Sequence, residues 1–136
     1  MHTFDLKGRT AIITGGAQGF GFDIAKRFLQ SGAKVIIWDI DNSELIKASK
    51  EVDDEKLSYN VVDVSNFEQV NKTVDEIIKT DNIDILINNA GITGPTATLW
   101  DYDIKEWNKI ININLTGTFN CCKNIIPNMI KNNYGR

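Results

Sequence analysis

The stretch Ala11-Ile12-Ile13-Thr14-Gly15-Gly16-Ala17-Gln18-Gly19-Phe20-Gly21 passes from an apolar run into glycines that are spaced G-x-x-x-G-x-G. A helical pattern of apolar residues begins directly afterwards, near Phe22. Glycines let a turn fold tightly and let its backbone approach a ligand closely. The free N–H groups and the positive dipole end of the following helix favour a phosphate. The stretch therefore predicts a strand, an anion-binding turn and a helix, and we expect the ligand to be a dinucleotide.

Length and composition predict one ordinary soluble domain over residues 1–136, with 42% hydrophobic and 24% charged residues. The 15 Lys and Arg residues stand against 18 Asp and Glu residues, which gives a net charge of −3 without a basic block. Nucleic acid is therefore not an expected partner. The segment from Met1 to Lys7 does not have the apolar run of a signal peptide, and no segment approaches the roughly 20 apolar residues that span a bilayer. We expect no membrane association and a cytoplasmic location.

The cysteine and histidine content argues against several kinds of site. Cys121 and Cys122 are neighbours in a helical pattern, where packing in a reduced protein explains them better than a disulfide or a C-x-x-C metal or redox site. His2 is the only histidine in the sequence. Ser-His-Asp catalysis and histidine-based metal binding therefore have almost no support, and we expect no metal site.

Strand patterns alternate with helix patterns along the whole chain. Strands are predicted at residues 10–14, 35–38, 57–64 and 83–88, and helices are predicted near 22–30, 41–52, 65–77 and 103–131. Asp41 with Glu44, and Ser65 with Glu68, have the spacing of helix-capping boxes. Pro127 should kink or end the last helix. Strands joined by helices imply a parallel sheet that is covered on both faces, so the predicted fold class is doubly wound α/β.

Polar residues and glycines follow the four predicted strands at Gly15, Asp39, Asp63 and Asn89. The carboxyl ends of parallel strands meet at one edge of a sheet, where doubly wound proteins bind their ligands. Asp39 ends the second strand, where a carboxylate can accept hydrogen bonds from an adenosine ribose and repels a 2′-phosphate. No Arg or Lys follows Asp39 within the next four residues. We therefore predict that the cofactor is NAD and not NADP.

The glycine-rich turn is not a Walker loop. It runs into Phe22-Asp23, where that loop needs Lys-Ser or Lys-Thr to hold nucleotide phosphates and magnesium. Phosphoryl transfer is therefore not the expected reaction.

Four short motifs together closely resemble the short-chain dehydrogenase/reductase family. They are Thr14-Gly15-x-x-x-Gly19-x-Gly21, Asp63-Val64, Asn88-Asn89-Ala90-Gly91 and Asn114-Leu115-Thr116-Gly117, and the resemblance covers the whole chain. The resemblance implies a Rossmann-type domain, a strand order of 3-2-1-4 and hydride transfer between a nicotinamide cofactor and an alcohol or ketone.

The resemblance also implies roles for individual residues. Gly15, Gly19, Phe20 and Gly21 would line the pyrophosphate, Asp39 the ribose, Asp63 and Val64 the adenine, and Asn89, Ala90 and Gly91 the cofactor along the fourth strand. For Asn88, hydrogen bonding that ties neighbouring loops together explains the residue at least as well as ligand contact. Asn114 is similar to the asparagine that distorts this helix and holds a water in the proton relay, which makes it a supporting catalytic group.

The family's chemistry also uses a tyrosine, a lysine four residues later and a serine, all of which follow the next strand. The sequence stops at Asn133-Tyr134-Gly135-Arg136, where that strand would begin. Tyr134 lies in the predicted surface turn after the long helix and has no lysine four positions on, so we expect it to be structural. We interpret the chain as the amino-terminal half of an enzyme, which binds the cofactor without turnover.

The predicted strand order leaves the fourth strand with an open, apolar edge, which favours self-association. Similar enzymes dimerise through the helix that corresponds to residues 107–129. We therefore expect a homodimer or a homotetramer. The substrate stays open among sugars, hydroxysteroids, acyl thioesters and simple secondary alcohols.

Two other functions remain open at this point. A non-catalytic dinucleotide-binding module also explains the missing tyrosine and lysine, although the open strand edge argues against it. An S-adenosylmethionine-dependent methyltransferase also pairs a glycine-rich turn with an acidic residue after the second strand. The Asn88–Gly91 motif and the glycine spacing disfavour the methyltransferase.

Overall fold

The computed structural model describes residues 4–136 and consists of one parallel sheet with helices on both faces, so His2 lies outside the described residues. The elements are β1 (Thr10–Thr14), α1 (Gly19–Gln30), β2 (Lys34–Asp39), α2 (Asn42–Val52), β3 (Leu57–Val61), α3 (Phe67–Ile77), β4 (Ile85–Ile87), a 3₁₀ turn (Leu99–Asp101), α4 (Ile104–Ile111), a π-helical segment (Asn112–Thr116) and α5 (Gly117–Lys131). The predicted alternation of strands and helices is confirmed. β3 and β4 are shorter than predicted, and α1 begins within the glycine-rich turn.

The four strands are all parallel and lie in the order β3-β2-β1-β4. In the centre of the sheet Ile12 pairs with Ile36 on one side and with Leu86 on the other. The predicted fold class and strand order are confirmed. β1 and β2 lie in the middle, so the segments that follow them meet at the carboxyl edge of the sheet.

Two apolar cores lie on opposite faces of the sheet because neighbouring strand residues point in opposite directions. On one face Ile12, Ile36 and Trp38 pack with residues of α3 and α5. On the other face Ile13 and Ile37 pack with residues of α1 and α2. The helices thereby cover both faces, as the continuous apolar strands predicted.

The helix caps agree with the prediction at α2 and differ at α3. The Asp41 side chain accepts hydrogen bonds from the N–H groups of Ser43 and Glu44, as predicted. The cap of α3 is Asn66, whose Oδ1 accepts a bond from the Gln69 N–H at 3.0 Å. The prediction of Ser65 was wrong because its hydroxyl donates to the Asp63 carboxylate instead.

The predicted long helix contains a wider turn in its middle. Between α4 and α5 the N–H of Gly117 donates to the carbonyl of Asn112, which is the i→i−5 bond of a π-helix. Pro127 lies inside α5, and the helix continues to Lys131. Pro127 and Lys123, one turn before it, are both exposed, so water can solvate the carbonyl that the missing N–H leaves free.

The outer edge of β4 is partly paired, contrary to the expectation of an open edge. The Arg136 N–H donates to the Asp84 carbonyl at 3.0 Å, and the Leu86 N–H donates to the Arg136 carbonyl at 2.9 Å. Arg136 thus pairs with β4 in the manner of a fifth parallel strand. The Tyr134 ring stacks under the Arg9 guanidinium, 3.4 Å from the ring centroid, which agrees with a structural role for this tyrosine.

Within residues 4–136, no helix is long and apolar enough to cross a membrane.

Candidate cofactor-binding site

A cavity of about 470 Å³ opens at the carboxyl edge of the sheet. Eight of the ten residues that the sequence predicted to bind a cofactor line this cavity: Gly15, Gly19, Asp39, Asp63, Val64, Asn89, Ala90 and Gly91. Phe20 and Gly21 are not among the lining residues. Segments that follow all four strands therefore meet around one space, as the strand order requires.

Two glycines in the glycine-rich turn have a positive φ, a conformation that favours glycine. Gly15 has a φ of +62°, and a Cβ there would lie 3.0 Å from the Cα of Ala90. Gly19 has a φ of +54°, and a Cβ there would meet no atom within 4 Å. The backbone at Gly19 is therefore open to the cavity that it lines.

The N-terminus of α1 offers unsatisfied donors to an anion. Gln18 makes no side-chain cap bond, and the first turn of α1 contains no acidic residue. The helices α2, α3 and α4 are instead capped by Asp41, Asn66 and Asp103, and each has an acidic residue in its first turn. A phosphate at α1 would accept the N–H bonds that side chains accept at the other helices.

Phe20 and Gly21 have different surroundings from the other predicted residues. The Phe20 side chain is 85% exposed. Gly21 is buried against the Gly15 carbonyl and the Asn89 amide, and a Cβ there would overlap the carbonyl oxygen of Gly15. The structure thus shows Gly21 as a packing position that lets α1 approach the glycine-rich turn.

Asp39 connects the second strand to the glycine-rich turn. Its Oδ2 accepts a hydrogen bond from the Ala17 N–H at 3.3 Å, and its Oδ1 accepts one from the Asp41 N–H at 3.2 Å. The side chain is half-buried at the cavity, and none of the lining residues is a lysine or an arginine. The two charged side chains among the lining residues, Asp39 and Asp63, are therefore both acidic.

Thr14 and Asn89 form a hydrogen-bond network between β1 and the loop that follows β4. The Thr14 Oγ1 accepts from the N–H groups of Asn89 at 3.1 Å and Ala90 at 3.0 Å. The Asn89 Nδ2 donates to the carbonyls of Thr14 and Gly15, at 3.0 Å each. The sequence analysis includes Thr14 in the glycine-rich motif without a role of its own, although a hydroxyl at the last position of a buried strand was a usable signal.

The loop-tying role that was considered chiefly for Asn88 belongs to Asn89. Asn88 is exposed, and the one hydrogen bond found for its amide within residues 4–136 is to the Cys122 Sγ, at 3.4 Å. Asn89 both holds the two loops together and lines the cavity.

Two side chains hold the segment Asp63-Val64 at the cavity. The Asp63 N–H donates to the Gln69 Oε1 at 2.7 Å, and the Val64 carbonyl accepts from the Asn120 Nδ2 at 2.9 Å. The Asp63 Oδ1 accepts from both the N–H and the hydroxyl of Ser65. Gln69 and Asn120 lie 6 and 56 positions away in sequence, and no local pattern connected them with the site.

Asn114 lies in the π-helical segment, so the helix is distorted where the resemblance implied. Its Oδ1 accepts from the Ile92 N–H at 2.9 Å, and its Nδ2 donates to the Ile92 carbonyl at 2.8 Å. Its own carbonyl accepts from the Thr118 hydroxyl at 3.0 Å. The amide therefore holds the segment after Gly91 against the helix, and Asn114 does not itself line the cavity.

The described part of the chain contains no group of three His, Cys, Asp or Glu side chains that could hold a metal ion. Cys121 is buried in the core, and burial raises the pKa of its thiol from 9.0 to about 12. Cys122 is partly exposed, and both thiols are free. These surroundings agree with the packing role that the sequence predicted.

Comparisons with known proteins agree with the fold. Residues 9–136 match the family described as short chain dehydrogenase. The chain is 37% identical over 130 residues to 2-dehydro-3-deoxy-L-rhamnonate dehydrogenase (NAD(+)) of Sphingomonas sp. (strain SKA58), which covers 95% of this chain and 51% of that protein. It is 39% identical over 130 residues to the 3-oxoacyl-(acyl-carrier-protein) reductase FabG of Chlamydia trachomatis serovar D, which covers 93% of this chain and 52% of the reductase.

A solved structure of NAD+-bound xylitol dehydrogenase superposes with a TM-score of 0.91 at 33% identity and covers 96% of this chain and 52% of that one. The chain thus spans about half the length of the relatives that it matches. The match over residues 9–136, the parallel sheet and the glycine-rich turn lead to one conclusion: the chain belongs to the short-chain dehydrogenase family of oxidoreductases.

Proposed function

We propose that the protein is an NAD-dependent oxidoreductase that transfers hydride between the nicotinamide and a secondary alcohol or ketone. We propose further that these 136 residues supply its coenzyme site. The proposal rests on one observation: the uncapped N-terminus of α1 and the half-buried carboxylate of Asp39 lie at the same cavity. The first suits a pyrophosphate and the second suits a ribose with free hydroxyls.

The residues fit the parts of NAD in order along the cavity. The turn at Gly15 and Gly19 would hold the pyrophosphate, and Asp39 would accept the hydroxyls of the adenosine ribose. Asp63 and Val64 would contact the adenine. Bound NAD supplies the hydride acceptor, and the segment Asn89–Gly91 would border the cofactor on the way to its nicotinamide.

NAD is the proposed cofactor because Asp39 places a negative charge where a 2′-phosphate would add two more. No cation among the lining residues offsets that charge. One relative carries NAD(+) in its name, and a similar solved structure is described as NAD+-bound. Both support the preference that the charge of Asp39 predicts.

Asn114 is proposed as a supporting catalytic residue. Its side chain holds the Ile92 backbone through two hydrogen bonds, and its place in a π-helical segment opens the carbonyl ladder of the helix locally. Such segments recur at functional sites. Here the distortion would allow a main-chain carbonyl to hold a water in the proton relay.

Steady turnover needs a tyrosine with a nearby lysine, and none of the three tyrosines in these 136 residues has a lysine four positions later. We therefore propose that this chain by itself binds NAD(H) without oxidising or reducing a substrate. In the whole protein the proposed substrate is a small alcohol or ketone.

The assembly proposed for the protein is a homodimer or a homotetramer. An apolar face on α4, α5 and the segment between them supports it, since five large side chains there are 44–73% exposed: Trp107, Leu115, Phe119, Ile126 and Ile130. A second copy would remove this surface from water. The free thiols of Cys121 and Cys122 fit a reducing compartment, and we propose the cytoplasm.

A titration with four ligands tests the cofactor proposal. NADH, NADPH, NAD and S-adenosylmethionine are added to the protein, and binding is read from energy transfer between tryptophan and reduced nicotinamide or by calorimetry. Trp38 precedes Asp39 in β2, so one donor lies next to the site. We expect binding of NADH and NAD, binding of NADPH that is at least tenfold weaker, and no heat with S-adenosylmethionine. Folded protein that binds none of the nicotinamide cofactors would overturn the proposal.

A further inference from the structure

Most of the hydrogen-bonding groups of Asp63 and Val64 already have a partner within the protein. The Asp63 carbonyl accepts from the Asn66 N–H at 3.0 Å, and the Asp63 Oδ1 accepts from Ser65. The Asp63 N–H donates to the Gln69 side chain, and the Val64 carbonyl accepts from the Asn120 side chain. Within residues 4–136, no bond is found for the Val64 N–H or for the Asp63 Oδ2. One donor and one acceptor are thus left on two residues that line the cavity, and this is the pair that an adenine edge requires.

Gln69 holds this segment from the side of α3. It is the third residue of that helix, and its own N–H is bonded to the Asn66 cap, so its backbone is fixed by the helix start. Its Oε1 then reaches back to the Asp63 N–H at 2.7 Å. The bond therefore fixes the backbone of Asp63 relative to the start of α3.

Asn120 holds the same segment from the side of α5. It is 3% exposed, and its Nδ2 donates to the Val64 carbonyl in a bond that is itself buried. A buried carbonyl that loses its donor is costly, so the protein strongly favours this arrangement. One turn earlier, α5 lies so close to Val64 that a Cβ on Gly117 would come within 2.6 Å of the Val64 Cγ2.

We propose that Gln69 and Asn120 are positioning residues for the adenine end of the coenzyme, an inference that rests on the proposed function. Neither residue is among those that line the cavity. Gln69 fixes the Asp63 N–H from α3, and Asn120 fixes the Val64 carbonyl from α5, which packs beside α3 on the same face of the sheet. Together they orient the peptide between Asp63 and Val64, whose Val64 N–H is left for the base with the neighbouring Asp63 Oδ2. Substitutions should weaken binding of the adenosine half of NAD and leave binding of the nicotinamide half unchanged.

The test compares three ligands: NADH, AMP and reduced nicotinamide mononucleotide. Gln69→Ala and Asn120→Ala should each weaken binding of AMP and NADH about tenfold, which corresponds to about 1.4 kcal/mol and to the scale of one hydrogen bond. Affinity for the mononucleotide should stay within twofold. Gln69→Glu keeps the acceptor oxygen at a helix position that favours an acid, so it should restore AMP binding to within about threefold of the wild type.

Asn128→Ala is the matched control because Asn128 also ties α5 to the backbone, through an Ile83 N–H bond of 2.9 Å far along the helix. It should leave AMP affinity unchanged. The inference is overturned if Gln69→Ala binds AMP like the wild type, if the mononucleotide loses affinity equally, or if Gln69→Glu is as weak as Gln69→Ala. Gln69 is only partly buried, so its variants keep the test decisive even if Asn120→Ala does not fold. Wild-type protein that binds neither AMP nor NADH overturns the proposed function, and this inference with it.

Discussion

Replacing Asn89 by alanine should destabilise the protein far more than the same change at Asn88. The Asn89 amide donates to the carbonyls of Thr14 and Gly15, both at 3.0 Å, and Thr14 is 1% exposed. Each such bond contributes about 1 kcal/mol to the free energy of unfolding, so Asn89→Ala should lower it by about 2 kcal/mol. For 136 residues this corresponds to a fall of about 7 °C in Tm.

The assay is urea unfolding followed by tryptophan fluorescence, with Asn88→Ala as the control. Asn88 is exposed and contacts only a sulfur atom, so its variant should stay within about 0.5 kcal/mol of the wild type. Asn89→Asp should be less stable than Asn89→Ala, because a carboxylate would face two carbonyl oxygens without a donor. Equal stability of the Asn88 and Asn89 alanine variants would refute the conclusion that the Asn89 amide stabilises the contact between β1 and the loop after β4.

Three further predictions concern other parts of the molecule. Asp39→Asn should weaken NADH binding about tenfold and strengthen NADPH binding, measured by fluorescence titration, because it removes the charge that repels a 2′-phosphate. Burial raises the pKa of the Cys121 thiol to about 12, so the stability that it contributes is complete below pH 9.0 and is lost as the pH rises towards 12. Between pH 9 and pH 10 the wild type should therefore lose about 1 kcal/mol more unfolding free energy than Cys121→Ala, measured in urea. Arg9→Gln should lower the unfolding free energy by about 2 kcal/mol, since it leaves the 9%-exposed Asp84 side chain without its cation, and thermal unfolding measures this.

Each of these predictions has a control or an outcome that contradicts it. Unchanged discrimination between NADH and NADPH in Asp39→Asn would remove the charge argument for NAD. Parallel pH profiles of the wild type and Cys121→Ala would show that the buried thiol does not contribute to the alkaline loss of stability. For Arg9, the control is Lys79→Gln, which breaks an exposed pair with Glu76 and should change stability little. A similar loss in both variants would contradict the special role of the Arg9–Asp84 pair.

The caps and breaks of the helices show where local sequence reasoning works. Asp41 caps α2 as its spacing predicted, and its Oδ1 also accepts a bond from the Ser43 hydroxyl. Ser65 has the same spacing from Glu68, but its hydroxyl is taken by Asp63, and Asn66 caps the helix instead. Pro127 does not end α5, because it lies with Lys123 on an exposed side of the helix, where water can solvate the carbonyl that is left free. In both cases the outcome depended on neighbours that a spacing rule does not include.

At the candidate site, the sequence predicted most of the residues that line the cavity. It did not predict most of the residues whose hydrogen bonds hold the lining segments in place. Gly15, Asp39 and Asn89 lie at or just after the ends of strands, so the strand pattern alone placed them at the edge where the cavity opens. The role of Thr14 was missed because its hydroxyl accepts hydrogen bonds from residues 75 and 76 positions away, in the loop after β4. Pairing of Arg136 with β4 was overlooked for the same reason, since the contact joins distant segments.

The alternation of strands and helices, the glycine-rich turn and the acid at the end of β2 could be read from the sequence because each depends on residues that are close together in the chain. The strand order joins distant segments and was predicted only through the family resemblance. Backbone sterics, side-chain alternation and helix dipoles act over a few residues, and the residue types carry that information directly. The hydrogen bonds that Asn89 makes to Thr14 and Gly15 depend on the tertiary structure alone. The same is true of the hydrogen bonds by which Gln69 and Asn120 hold Asp63-Val64. A hydrogen bond forms only where folding brings a donor within about 3 Å of an acceptor, and sheet order and helix packing set that distance across the whole chain.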